Sequence, residues 1–239
     1  RHISGMGDSY CVKMLEGGAI AACSILADSK SALVRVKVAK ILHNMSKVEA
    51  NLEQMLEEGA ATTIVDLFRH HKPPELHHTL TAAVNEFARL EDARMELLPT
   101  VKPVLDVLKD ATLEDQLVAL AALARITTSG ECQYKAMKTG LFEPMLNTAL
   151  SEFHTYQHRS LAMQTAANLA SNDACLPAIL RFKCDKLRPP LPGPCAKVMS
   201  IFALSLSIQT YAHSCLYALA RSLCQGHVHV CSLSHRDMR

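Results

Sequence analysis

The hexapeptide MLEGGA at residues 14–19 returns as MLEEGA at residues 55–60, the two starts lying 41 residues apart. A period near 40 constrains the fold more than any other feature. A segment that short cannot bury its own apolar faces, so copies must stack and share one continuous interior. Chance repetition of six letters would leave the flanking sequence unrelated, and here the flanks recur as well. From Gly59, another 41 residues lead to Thr100 within ELLPTVKPVLDVL, and 40 more lead to Gly140 within KAMKTGLFEPMLNTAL.

Each of these points follows a short amphipathic segment: SYCVKMLEG, VEANLEQMLEEG, EDARMELLPT and ECQYKAMKTG. Each precedes a second apolar run: AIAACSILAD, AATTIVDLFR, VKPVLDVLKD and LFEPMLNTAL. After a polar break comes a longer helical pattern, namely SALVRVKVAKILHNMSK, LHHTLTAAVNEFARL, LEDQLVALAALARIT and HRSLAMQTAANLASN. In the first of these, Val34, Val38, Ile41, Leu42 and Met45 recur at the spacing of one buried helix face. Asp28-Ser29, Pro73-Pro74, Asp110 and Ser151 supply turn and cap chemistry in the breaks. The unit is therefore a short helix, a helix and a long helix. Glycine suits the corner between the first two because it has no Cβ and reaches positive φ. At Thr100 the flanking Pro99 and Pro103 are expected to enforce the bend instead.

Composition agrees with an all-α chain. Apolar residues make up 49% of the 239, aromatics only 5%, and Trp is absent, so the interior is filled by aliphatic side chains. Nine Gly and ten Pro leave little material for the many turns of an all-β fold. A net charge of +2 implies no polyanionic partner, so no nucleic acid is expected. The nine Cys form no CxxC pair and no secretory leader pattern opens the sequence, which reads as reduced thiols in a cytoplasmic or nuclear protein. The absence of an initiator Met reads as a fragment or a processed product.

MLEGGAI, MLEEGAA and the AANLAS of residues 166–171 resemble the armadillo repeat, whose unit has a Gly-Ala corner before its second helix and an ALxNLA-like end to its third. HEAT repeats are the nearest rival, and the glycine corner argues against them. The resemblance covers residues 9–180 and implies a right-handed α-solenoid. Its units fall near 9–47, 48–90, 91–129 and 130–171, with a partial fifth from 172, inside an array spanning 1–185. It also implies a non-enzymatic scaffold for protein–protein interaction, holding a peptide segment or helix of a partner along a groove of aligned long helices. The alternative is a structural portion of a larger regulatory or adaptor protein without its own ligand.

In that family an Asn near the end of the third helix hydrogen-bonds the peptide backbone, since an amide both donates and accepts. The matching positions here are Asn44 and Asn168, with Glu86 and Ala122 expected in the middle units. One turn earlier lie Lys40, Ala82, Val118 and Gln164, with Lys37 a further turn back. Without Trp on that stripe, recognition of basic nuclear signals is not expected. Lys37, Lys40 and Lys47 favour an acidic partner segment instead, although lysines on an exposed helix also simply solvate it.

Residues 186–239 break the pattern. They hold one acid, Asp237, against six Lys or Arg, and five Cys (184, 195, 215, 224 and 231) sit at or beyond the break. Three readings stand: a replaced end, a capping element, or a membrane anchor over Val198 to Ala220. The last is disfavoured by Gln209, His213 and the serines in that span.

Sites for chemistry are sparse. His70, His71, His77 and His78 flank a proline turn, and Cys224, His227, His229, Cys231 and His235 cluster near the end. Both sets have metal-ligand types, but neither has a recognised spacing, so no metal, cofactor or small-molecule substrate is expected. The Gly5-x-Gly7 pair lacks a preceding strand and a third glycine and reads as a frayed start. No nucleophile elbow, HExxH, phosphate loop or kinase signature occurs, so no catalytic residue is assigned.

Overall fold

A computed structural model describes residues 2–70 and 73–179, with the side chains of residues 2–6 and 8 excepted. The chain divides into two compact bodies, residues 1–172 and 173–239. The first is built of four helical repeats.

Repeat one comprises α1 (His2–Glu16), α2 (Ala19–Ala27) and α3 (Ala32–Ser46). Repeat two has a 3-10 turn at Glu49–Asn51, then α4 (Leu52–Glu57), α5 (Ala60–Phe68) and α6 (Pro74–Phe87). Repeat three opens with the single turn α7 (Ala93–Glu96) and a 3-10 turn at Leu98–Thr100, followed by α8 (Val101–Asp110) and α9 (Leu113–Ile126). Repeat four holds α10 (Gly130–Lys138), α11 (Phe142–Leu150) and α12 (Tyr156–Ala170). Of the second body, residues 173–179 are described, beginning with a 3-10 turn at Asp173–Cys175. No strand occurs among the described residues, and none of their helices is long and apolar enough to cross a membrane. Residues 186–239, and with them the tail readings and the tail Cys/His cluster, lie outside the described residues.

The glycine corners form as the sequence requires. Gly18, Gly59 and Gly140 adopt φ of 78°, 83° and 80°, the left-handed region that an L side chain enters only with strain. Each amide closes the preceding helix by donating three residues back, to Leu15, Leu56 and Met137. The third corner uses different means. Thr100 stays right-handed at φ −78°, is fully buried, and its hydroxyl donates to the Leu97 carbonyl at 2.6 Å. A compact 3-10 turn replaces the glycine. The Gly5-x-Gly7 stretch, expected to fray, lies inside α1.

The long helices α3, α6, α9 and α12 pack in sequence, each against the next, while the shorter helices form the opposing layer. Met45, Phe87, Ile126 and Leu169 occupy one core row, each at most 1% exposed. Leu42, Val84, Leu123 and Ala166 fill the row one turn earlier and are fully buried. Leu120 of α9 is fully buried as well. Two of the long helices start on threonines the sequence did not single out. Thr112 and Thr155 accept hydrogen bonds from the Asp115 and His158 amides.

Polar links tie the end of a repeat back to its own start. Arg89, after α6, pairs with Glu49 ahead of α4 at 2.9 Å, and Asn172, after α12, donates to the Gly130 carbonyl at the head of α10 at 2.8 Å. His158, only 1% exposed, is held at both ring nitrogens. Its Nε2–H donates to the Leu113 carbonyl at 2.8 Å, and the Thr155 hydroxyl donates to Nδ1 at 2.7 Å. A buried imidazole is tolerated here because both polar atoms are satisfied.

The described cysteines, 11, 23, 132 and 175, are free thiols. Burial pushes the thiols of Cys23, Cys132 and Cys175 up, which leaves them poorly nucleophilic. Cys11 alone among the four is half-exposed. Brief alkylation at neutral pH should therefore mark Cys11 ahead of the other three, read by peptide mass mapping. Equal labelling of Cys23 would contradict the packing of α2.

Candidate partner-binding face

Side-by-side long helices place corresponding residues in rows across their solvent face. The core row Met45, Phe87, Ile126 and Leu169 fixes the register, because it is buried in every repeat. The residue before it is Asn44, Glu86, Arg125 or Asn168. The third position is thus Arg125 and not Ala122, which is fully buried. The same shift moves Val118 one turn back, into the row of Lys37, and puts Ala121 beside Lys40, Ala82 and Gln164. The steps along the row are 42, 39 and 43 residues, the short one falling where α7 is a single turn.

The four row members behave differently. Asn44 is exposed, and its side chain has no hydrogen-bond partner among the described residues. Glu86 is half-buried and accepts from Arg89 at 3.5 Å and from the Asn85 side-chain amide at 3.4 Å. Arg125 reaches back one repeat, donating from Nη1 to the Asn85 carbonyl at 2.7 Å and also to the Asn85 side-chain oxygen. Asn168 does likewise, its amide donating to the Ala124 carbonyl at 3.1 Å and to Thr127 Oγ1 at 3.3 Å. Gln164 is exposed without a side-chain partner among the described residues.

Lys40 and Glu75 form an ion pair at 2.6 Å that ties α3 to α6. The Lys40 ammonium, with a smaller contribution from Lys37, holds the Glu75 carboxyl below the usual carboxylate range. Lys37 and Lys47 are exposed and carry no ion pair among the described residues, so of the three lysines these two keep their charge free.

Between the third and fourth repeats the same face turns apolar. An open depression of about 440 Å³ is lined by Leu117, Val118 and Ala121 of α9 and by Leu161 of α12. Asn85, Gln157 and Ser160 give it a polar rim, and Tyr156 stands beside it with 83% of its surface exposed. Arg125, held by Asn85, borders this region. Neither Arg125 nor the depression was found from sequence. The signal existed in the buried row that follows the ladder position, but the short third repeat hides it from a fixed 41-residue count.

The described histidines of the cluster, His70, His77 and His78, are not brought together as one site. His77 donates from Nε2 to the His70 carbonyl at 2.8 Å and stacks obliquely on Phe68 at 5.3 Å. His78 instead faces Asp115 of the next repeat at 3.4 Å. His71 is outside the described residues, which contain no group of His, Cys, Asp and Glu able to hold a metal ion.

His43, beside the ladder, gives this face a pH signature. Burial, then Lys47, pulls its imidazole below the ordinary 6.5, while Glu86 partly opposes them. The unfolded chain therefore binds the proton first as pH falls, and stability is lost from the ordinary value downward through the folded one. His43→Gln should flatten this dependence. Urea midpoints at about pH 7.5 and about pH 5.5 check it, with wild type losing more than the variant on acidification.

No family model matches the chain, and no curated protein matches it. Solved structures do. The chain is similar to a crystal structure of computationally designed armadillo repeat proteins for modular peptide recognition. The two share 21% identity, with a TM-score of 0.65, 88% of this chain and 86% of the other being covered. It is also similar to a designed armadillo repeat protein in complex with the peptide (KR)4. That pair shares 20% identity with a TM-score of 0.61, covering 83% of this chain and 85% of the other. An engineered protein matches at 18% identity and a TM-score of 0.62, covering 87% and 88%. The fold is an all-α armadillo-type solenoid.

Proposed function

We propose that this chain is a non-enzymatic scaffold that holds a peptide segment of another protein against the face of its long helices. The apolar depression between α9 and α12 carries the reading. It is open, rimmed by amides and a hydroxyl, and flanked by an exposed tyrosine, which suits one bulky apolar side chain of a partner. Two of the solved structures with this fold are described as recognising or holding peptides, and that lends general support. The finer assignment is an acidic segment, drawn from Lys37 and Lys47 in the first repeat. The peptide in the designed complex is written (KR)4, so that partner is basic. Lys37, Lys40, Asn44, Glu86, Gln164 and Asn168, with Arg125 added, are the proposed contacts. A reducing compartment, the cytoplasm or nucleus, is part of the same proposal, and nucleic acid, a membrane and small-molecule substrates are not.

Peptide display against the whole chain tests this. Enriched peptides should carry a bulky apolar residue and acidic residues. Ala121→Arg, which fills the depression, and Lys37→Glu should each weaken them about tenfold, with the melting temperature nearly unchanged. Lys37 is preferred to Lys40 because reversing Lys40 would also set two carboxylates together at Glu75.

A second reading is a structural segment of a larger protein without its own ligand. It is favoured by Asn168, whose amide protons already bridge to repeat three. Display that enriches no peptide selects this reading and removes the first.

A further inference from the structure

The two copies of the opening hexapeptide have the same letters at Met14 and Met55 and opposite environments. Met14 is 43% exposed, whereas Met55 is fully buried. The difference extends over a whole face. Tyr10 is 63% exposed and its counterpart Asn51 1%; Leu26 is 45% exposed and Leu67 is fully buried. Ala22 is exposed where Thr63 is buried. The helices carrying the buried set face repeat one, with α5 packed on α2 and α3, and α4 packed on α3. Repeat one presents the equivalent face with nothing against it among the described residues.

Two further observations separate this face from an ordinary end. The nine residues of α2, AIAACSILA, contain no charged or strongly polar side chain, and Ile25 on the same helix is 79% exposed. A terminal repeat that meets water permanently has a polar outer face, and a helix apolar on all sides belongs in an interior. The polar row agrees in part. Arg125 and Asn168 each reach back to the preceding repeat and Glu86 is held within its own, while Asn44 alone in the row has no side-chain partner among the described residues.

We infer that the α1–α2 face of repeat one is a stacking surface whose occupant is another three-helix repeat of the same kind, seated as repeat one is seated on repeat two. The argument is continuity with an interface the array already makes. A peptide would cover one groove, whereas Tyr10, Met14, Ala22 and Leu26 match positions that a complete neighbouring repeat buries in the second copy. Repeat one has the character of an internal unit.

A copy of residues 48–90, attached ahead of Arg1 of the full chain through a flexible linker of about ten residues, supplies the occupant as a tethered probe. The melting temperature should rise by about 5 °C or more, because stacked repeats melt cooperatively. In the fusion, the pair Met14→Glu and Leu26→Glu should abolish that rise. In the unfused chain the same pair should shift melting by no more than about 1 °C, since both side chains are exposed there. A fusion that melts with the parent chain overturns the inference, and so does a gain that survives the two glutamates. A concentration-dependent dimer of the unfused chain that Leu26→Glu dissolves also overturns it, because the face would then serve a second copy.

Discussion

Leu120→Asp unfolds the array. Leu120 is fully buried on α9, which packs between α6 and α12, so a carboxylate there would enter the shared interior of three repeats. Among the described residues no Lys or Arg is buried to pair with it, and water cannot follow it in. Loss of the leucine's burial and an uncompensated charge together cost roughly 3–5 kcal/mol or more, much of the stability available to a domain of this size. The far-UV helical signal should fall sharply at 25 °C, with broadened or absent melting. Leu120→Ala provides the graded companion at about 2–5 kcal/mol, the range for a cavity without a charge. A helical spectrum that survives Leu120→Asp unshifted would mean that the long helices do not share the core described.

Met55→Ala and Met14→Ala should differ severalfold although their local sequences nearly coincide. Met55 is fully buried, so its truncation opens a cavity and should cost about 2–5 kcal/mol in urea unfolding. Met14 is 43% exposed, and its truncation should fall within about 0.5 kcal/mol of wild type. Comparable losses at the two sites would show that repeat one is covered in solution, and near-zero losses at both would remove repeat two from the core. The comparison holds the residue type and flanking letters nearly constant, leaving the neighbouring repeat as the variable.

The period, the helix order and three of the four corners were legible because each leaves a local chemical mark. A left-handed corner selects glycine, and Gly18, Gly59 and Gly140 stand where the φ values demand them. The remaining corner lacks the glycine mark and was read from Pro99 and Pro103 instead, and Pro99 lies inside the 3-10 turn at Leu98–Thr100 that makes the bend. Three of the four positions in the row before the buried one were legible. Asn44, Glu86 and Asn168 fall at equivalent positions, but Arg125 was missed because α7 shortens repeat three and slides the register. Lys40 read as free positive charge and is paired with Glu75, a residue 35 positions away in sequence. The depression beside Tyr156 draws on α6, α9 and α12 together, so no window of one helix contains it.

The amino-acid order alone determined the three-helix repeat, its corners and the apolar rows, because backbone conformation and helix periodicity act within a few residues. Tertiary structure decided which amides bridge repeats, which lysine keeps its charge free, where the depression lies, and why Met55 is buried while Met14 is not. Those outcomes depend on which surface lies opposite a side chain. That surface belongs to a different repeat, about 40 residues away in the sequence and in contact only after stacking.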